Sequence, residues 1–235
     1  MRRLGLIGGM SFESTAIYYR KINEAVNALR GDLNAAELIL HSVNFQDIIE
    51  MQKSGNWDAA GQRLARAAEG LKAAGAECIL ICAVTMHLVA DAVEAATALP
   101  FIHIVDEVAG RLKAAGCSRP LLIATKYTME GAFYPQRMKP YGIEVRVPHN
   151  EERADIQRII FDELSFGAVK DESREILLRI IERAKAEGAD CVIFGCTEIC
   201  LILDANGLPL PGFDSAAIHI EAAVRFAIAE PLVQP

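Results

Sequence analysis

Short, continuous apolar runs alternate along the chain with longer segments whose apolar residues recur every three or four positions. Such runs read as strands buried on both faces and the periodic segments as helices covering them. The alternation predicts a parallel α/β architecture. Leu4–Ile7 is the first strand, followed by a long helix over Phe12–Leu29. A second strand falls within Glu37–Asn44, and helices follow at Gln46–Lys53 and Asp58–Ala74, the latter with Leu64, Ala67 and Leu71 on one face. Cys78–Cys82 is the third strand, with a helix running on through Ala96. Pro100–Ile104 reads as a fourth strand and the crossover into a second half. That half is predicted to hold a helix at Val105–Ala115, strands at Pro120–Ala124 and Ile143–Val147, and helices from Met129, at Glu152–Leu164 and at Glu172–Glu187. The strand Val192–Phe194, a short strand at Pro209–Phe213 and a helix over Ser215–Ala229 complete it.

Two stretches echo one another without gaps. Leu71–Ala83 aligns on Ala184–Cys196, and both run from a helix end through Gly-Ala-acid-Cys into an apolar strand and a strand-end turn. This register pairs Cys196 with Ala83 and not with Cys82. The echo suggests two similar, pseudosymmetric parallel-sheet α/β domains with a cleft between them. The expected division is 1–100 plus 214–235 for the first domain and 101–213 for the second, with the last helix packing back on the first half. Two similar buried strands arising by chance are the plainer alternative.

Composition narrows the class. A chain of 235 residues, 52% hydrophobic and 23% charged, is long enough to bury a substantial core and ordinary for a soluble protein. Its net charge of −7 argues against a general binder of nucleic acid or anionic membrane. No apolar run reaches the length of a membrane span and no signal peptide precedes the first strand, so a cytoplasmic setting is expected. The cysteines, Cys78, Cys82, Cys117, Cys191, Cys196 and Cys200, are scattered through strands and loops and read as reduced thiols. Cys78-x₃-Cys82 and Cys196-x₃-Cys200 have no matching His or Cys pairs at zinc-site spacing, so no metal is expected.

Polar residues gather where the strands end, which is where open α/β sheets bind ligands. Gly195 allows a sharp turn, and Cys196, Thr197 and Glu198 follow it. At the start of a new helix, a thiol meets unpaired N–H groups that favour thiolate. Gly8-Gly9-Met10-Ser11 precedes the first helix, where Ser11 is a cap, two glycines permit close approach, and Ser14 and Thr15 lie in the first turn. The spacing is neither a dinucleotide fingerprint nor a P-loop, so a carboxylate suits it better than a nucleotide. Thr125, Tyr127 and Thr128 fit either an anion grip or helix capping. His87, after Thr85, fits a base, an anion donor or a helix-start residue, with the last preferred. His103, His149 and His219 read as structural, and alternation turns Cys82 away from the face of residue 83.

Gly8-Gly9-Met10-Ser11-x-Glu13-Ser14-Thr15, Thr85-x-His87 and Gly195-Cys196-Thr197-Glu198 resemble the motifs of the aspartate/glutamate racemase family, over essentially the whole chain. Tyr127-Thr128-Met129-Glu130 and Phe213-Asp214-x-Ala216-Ala217-Ile218-His219 make it similar to the bacterial branch acting on aspartate, glutamate or related amino acids. The resemblance implies two α/β domains, an active site in the cleft, no cofactor, frequent homodimers and a small amino-acid or dicarboxylate substrate. It also implies racemisation by two cysteines, one from each half. One thiolate takes the α-proton, the opposite thiol returns one, and backbone and hydroxyl donors stabilise the carbanion.

Here the chain departs from the pattern: Ala83-Val84-Thr85 stands where the family has Cys-Asn-Thr. Alanine neither gives nor takes a proton, so Cys196 is the remaining catalytic thiol. Thr85, His87 or water is left to serve the other face. The resemblance sets Ser165 near the position where aspartate-specific members carry a substrate-binding Lys, implying a weaker grip on an acidic side chain. Met10, Ser11, Val84, Thr125, Tyr127, Thr128 and Thr197 are the expected substrate contacts, with His87 and Ser165 supporting and Glu198 expected to orient a neighbouring group or cap its helix rather than to handle protons. The reading is a one-sided or weakened cofactor-independent racemase. A single-cysteine decarboxylase or isomerase, and an inactive amino-acid-binding variant, are the alternatives.

Overall fold

The computed structural model describes residues 1–229; the last residues of the expected first domain, 230–235, lie outside them. The chain divides into two units, residues 1–103 with the segment from His219 onward, and Ile104–Ile218. The boundaries fall a few residues beyond those drawn from the sequence.

In the first unit β1 (Leu4–Gly8), α1 (Phe12–Arg30), β2 (Leu38–Ser42), α2 (Phe45–Lys53), α3 (Trp57–Ala73), β3 (Cys78–Ile81) and α4 (Ala90–Ala96) follow in order. The strands form a parallel sheet in the order β2-β1-β3. Every residue of β1 is buried, as a central strand covered on both faces requires. The Leu64, Ala67 and Leu71 face of α3 packs into one core with Ile7, Ile79 and Ile81. The helix expected to follow β3 directly begins instead as a 3₁₀ turn over Thr85–Val89. The expected strand at Pro100–Ile104 shrinks to one bridge, Phe101 to Ile79. Pro100 has no N–H to donate, and the chain becomes helical at Ile104.

The second unit runs α5 (Ile104–Ala114), β4 (Pro120–Ile123), α6 (Lys126–Glu130), α7 (Phe133–Met138), α8 (Asn150–Arg158), α9 (Asp171–Ala186), β5 (Cys191–Phe194), β6 (Gly212–Asp214) and the start of α10 (Ser215–Ile228). Its parallel sheet has the order β4-β5-β6. The expected strand at Ile143–Val147 keeps only the bridge from Arg146 to Leu121, with Pro148 cutting the run short. The last strand starts at Gly212, not Pro209, because two prolines, Pro209 and Pro211, withhold ladder donors. The helix after Met129 begins earlier, at Lys126, and the helix expected to reach Leu164 ends at Arg158, continuing as a π turn over Ile159–Glu163.

The truncated strands are informative. Counting the bridges, one sheet reads β2-β1-β3-Phe101 and the other Arg146-β4-β5-β6. Leu4 pairs with Cys78 as Pro120 pairs with Cys191. The two units therefore repeat one four-position plan, each with a different outer strand reduced to a single bridge. This is the structural form of the sequence echo.

Candidate active site

At the carboxyl end of β5 the chain passes through Gly195 because nothing larger fits. A Cβ there would stand 2.8 Å from both Ala124 Cβ and Leu122 Cδ1. Close packing against β4, not a special backbone turn, is the reason for glycine. Cys196 follows in extended conformation and heads a five-residue 3₁₀ turn, Thr197–Leu201. Its Sγ donates to Glu198 Oε2 at 2.9 Å, and Thr197 Oγ1 donates to the same oxygen at 2.7 Å. Burial, then the charge and hydrogen bonding of the Glu198 carboxylate, push the Cys196 thiol well above its ordinary pKa. The backbone N–H of Glu198 favours thiolate but is outweighed. The expected thiolate at a helix start is therefore corrected: the turn is too short to supply an axial field, and a carboxylate faces the sulfur. What results is a protonated thiol hydrogen-bonded to its own proton acceptor.

A second thiol–carboxylate pair, missed in the sequence, lies further along the unit. Cys200 Sγ donates to Asp214 Oδ2 at 3.0 Å, while Asp214 Oδ1 accepts from the backbone N–H of Ala216 (2.8 Å) and Ala217 (3.1 Å). An Asp directly before a run of helix formers was the available signal.

In the first unit Cys82 is fully buried, its thiol pushed up by burial, whereas Ala83 and Thr85 keep partial exposure and Val84 is buried. His87 is buried, and its Nδ1 lies 3.0 Å from the Ala83 carbonyl, which only an Nδ1–H can satisfy. The ring packs against His103 at 4.7 Å and His219 at 5.7 Å, centroid to centroid. Burial, then the neighbouring His103 and His219, hold His87 well below its usual pKa. His219 is lowered to about 4 by burial. Its Nε2–H donates to the Ile102 carbonyl at 2.7 Å, so Nδ1 accepts from Tyr18 Oη at 2.9 Å.

The turn after β1 uses much of its own polarity. Ser11 Oγ caps α1 by accepting from Ser14 N at 3.2 Å, and Thr15 Oγ1 accepts from Gly9 N and donates to the Ser11 carbonyl, each at 2.8 Å. Gly9 has φ +90° and lies against Val43, where a Cβ would stand 2.2 Å from the carbonyl oxygen. Met10 is buried and Ser11 half-buried. After β4, Thr125 Oγ1 and the fully buried Thr128 Oγ1 lie 3.2 Å apart, and Tyr127 is half-buried between them in sequence. Ser165 donates to the Ile160 carbonyl at 2.8 Å. It sits beside Glu163, a buried carboxylate that accepts from Ser173 (2.6 Å) and pairs with Arg158 and Lys170.

The chain thus has two units, each with a three-stranded parallel sheet, and a thiol–carboxylate pair at the carboxyl end of β5. The chain belongs to the Asp/Glu/Hydantoin racemase family, whose model matches residues 7–223. It is similar to the broad-specificity amino-acid racemase of Bacillus subtilis, at 22% identity over 96% of this chain and 98% of that one. A crystal structure from Yersinia pestis, assigned provisionally as an Asp/Glu racemase, is 46% identical over 97% of this chain and all of that one, with a TM-score of 0.92. An aspartate racemase homologue from Pyrococcus horikoshii is 37% identical over the same shares, 97% and 100%, with a TM-score of 0.86. Arylmalonate decarboxylase, at 16% identity and a TM-score of 0.55 over 99% of this chain and 96% of that one, shares the fold alone. No helix among the described residues is long and apolar enough to cross a membrane.

Proposed function

We propose that the chain is a cofactor-independent amino-acid racemase, acting on aspartate, glutamate or a related amino acid, with Cys196 as its one catalytic thiol. The observation that carries this reading is the hydrogen bond from Cys196 Sγ to Glu198 at the end of β5. Glu198 takes the thiol proton as substrate binds. The thiolate then removes the α-proton, forming S–H as the Cα–H electron pair passes into the substrate carboxylate. The hydroxyls of Thr197, Thr125 and Thr128, with Tyr127, Met10 and Ser11, are the proposed substrate surroundings. Ala83, which the sequence echo pairs with Cys196, supplies no proton to the other face of the substrate. His87 is a poor donor at neutral pH, since it is neutral and its Nδ1–H is committed to the Ala83 carbonyl. Thr85 or water serves that face. The enzyme is therefore one-sided, faster with the enantiomer whose α-hydrogen faces Cys196.

Solvent-deuterium exchange at Cα, followed by NMR over both enantiomers of an amino-acid panel, tests the proposal. Exchange of one enantiomer well ahead of the other, abolished in Cys196→Ala, is the expected result. Equal exchange in the variant would end the assignment, and release of carbon dioxide from a malonate-type substrate would replace it with the decarboxylase reading.

A further inference from the structure

At the opposite end of β5 from Cys196, the Sγ atoms of Cys117 and Cys191 and a carboxylate oxygen of Asp190 all lie within 4.8 Å of one another. No other such group of three His, Cys, Asp or Glu side chains is found among the described residues. Cys117 lies far in sequence from the adjacent Asp190 and Cys191, so no spacing motif announced the group. Comparison of the two units shows which part is ordinary. In the first unit Glu77 takes the place of Asp190: its N–H donates to the Arg3 carbonyl at 2.8 Å and its carboxylate accepts from Arg3 N at 2.6 Å. Asp190 does the same with Arg119, at 3.1 and 2.9 Å, and its Oδ2 also accepts from Ser118 N at 2.8 Å. Cys78 and Cys191 each open the following strand. Acid and thiol are thus part of the repeated strand-pairing plan. Cys117 is not: the matching position, two residues before Arg3, is Met1.

The extra thiol turns a structural clamp into a convergent donor set of two sulfurs and one carboxylate oxygen. We infer that Cys117, Cys191 and Asp190 bind a thiophilic divalent cation of the zinc class. Hard cations such as magnesium and calcium demand oxygen ligands and are poorly served by this set. Donors at this spacing fit around an ion with bonds of about 2.3 Å to sulfur and about 2.0–2.2 Å to oxygen. The backbone N–H groups of Ser118 and Arg119 hold the carboxylate in place, the kind of outer support that orients a ligand. Cys191 is buried and Cys117 partly exposed, so the ion enters past Cys117 and keeps a water as its fourth ligand. Binding releases both thiol protons to solvent. The ion pins the loop before β4 to the start of β5 and takes no part in proton transfer at Cys196, so the inference stands apart from the racemase reading.

Titration of the reduced full-length chain with Cd²⁺, followed by thiolate-to-cadmium absorption, tests it. One ion per chain is expected, with the intensity of two Cd–S bonds, retained in a Cys196→Ala, Cys200→Ser double variant. Cys117→Ser, at a partly exposed loop position, should fold and racemise normally. It should lose affinity by more than the about 10–100-fold that an outer-sphere change costs. Zn²⁺ should raise the thermal midpoint of the wild type and not of that variant. Equal affinity in Cys117→Ser, loss of the signal in the double variant, or no uptake by the reduced chain would overturn the site.

Discussion

Cys196 answers two demands that pull in opposite directions. Burial and Glu198 keep the sulfur protonated at rest, while the same carboxylate is the group that takes the proton away. Glu198→Gln separates them. Removing the negative charge should shift the iodoacetamide-reactivity profile of Cys196 to lower pH, since that charge raises its pKa. Exchange at Cα should nonetheless fall about 10²–10⁴-fold, the usual loss when a proton-transfer group is removed. Slower exchange with no downward shift of the reactivity profile would mean that Glu198 merely holds the turn together. In the wild type iodoacetamide reactivity of Cys196 should still be rising beyond about pH 8.5, where an unperturbed thiol is half ionised, because the shift is upward. Ala83→Cys with Val84→Asn should raise exchange of the slow enantiomer and leave the fast one little changed. No gain would discount the vacant second position. The sequence made Cys196, Thr197 and Glu198 legible as a group because a strand end places neighbours together. It misjudged the sign of the thiol shift, since direction depends on which atom faces the sulfur, and that is set by side-chain rotamers.

At the level of elements, the buried strands were legible and their partners less so. Continuous apolar runs located β1, β3, β4 and β5 within a residue or two, because central parallel strands have no polar face to confuse the pattern. Outer strands pair on one side only, so their extent is decided by prolines and by the chain's next turn. Phe101 and Arg146 keep single bridges for that reason. The π turn over Ile159–Glu163 was equally invisible, since it is fixed by Glu163 reaching Ser173, Arg158 and Lys170. Gly195 shows how an element couples to the site. Alanine there would crowd Ala124 and Leu122 at 2.8 Å, an overpacking cost of about 1–3 kcal/mol. The end of β5 would move with Cys196 on it. A lower urea midpoint together with slower Cα exchange is expected; a destabilised but fully active variant would detach the strand end from catalysis.

The whole chain should respond to acid in two stages, because its units hide different ionisable groups. The first unit buries neutral His87 and His219, and for His219 the folded pKa is about 4 against an unfolded 6.5. A depressed imidazole pKa means that the unfolded state binds the proton first. Its contribution is fully present above about pH 6.5 and is lost as pH falls towards about 4, amounting to about 3 kcal/mol for His219. The second unit depends instead on carboxylates. Glu163 is held below its usual range by Ser173, Arg158 and Lys170 against the opposing effect of burial. Asp190 is lowered by Ser118 and Arg119 N–H groups, again against burial. Those contributions persist until pH falls below the unfolded carboxylate values, about 4. Against a total stability of about 5–15 kcal/mol, the loss at His219, with His87 acting in the same direction, weakens the first unit before the carboxylates of the second begin to titrate. Trp57, the single tryptophan, packs on the core of that unit and reports it selectively. Its fluorescence should therefore change at higher pH than far-UV circular dichroism, which follows the helices of both units. His219→Gln retains a donor for Ile102 and an acceptor for Tyr18 but cannot ionise, so it should move the fluorescence midpoint down and leave the later transition in place. Coincident transitions unaffected by the substitution would show that the two units unfold as one, with the buried imidazoles contributing nothing to acid sensitivity.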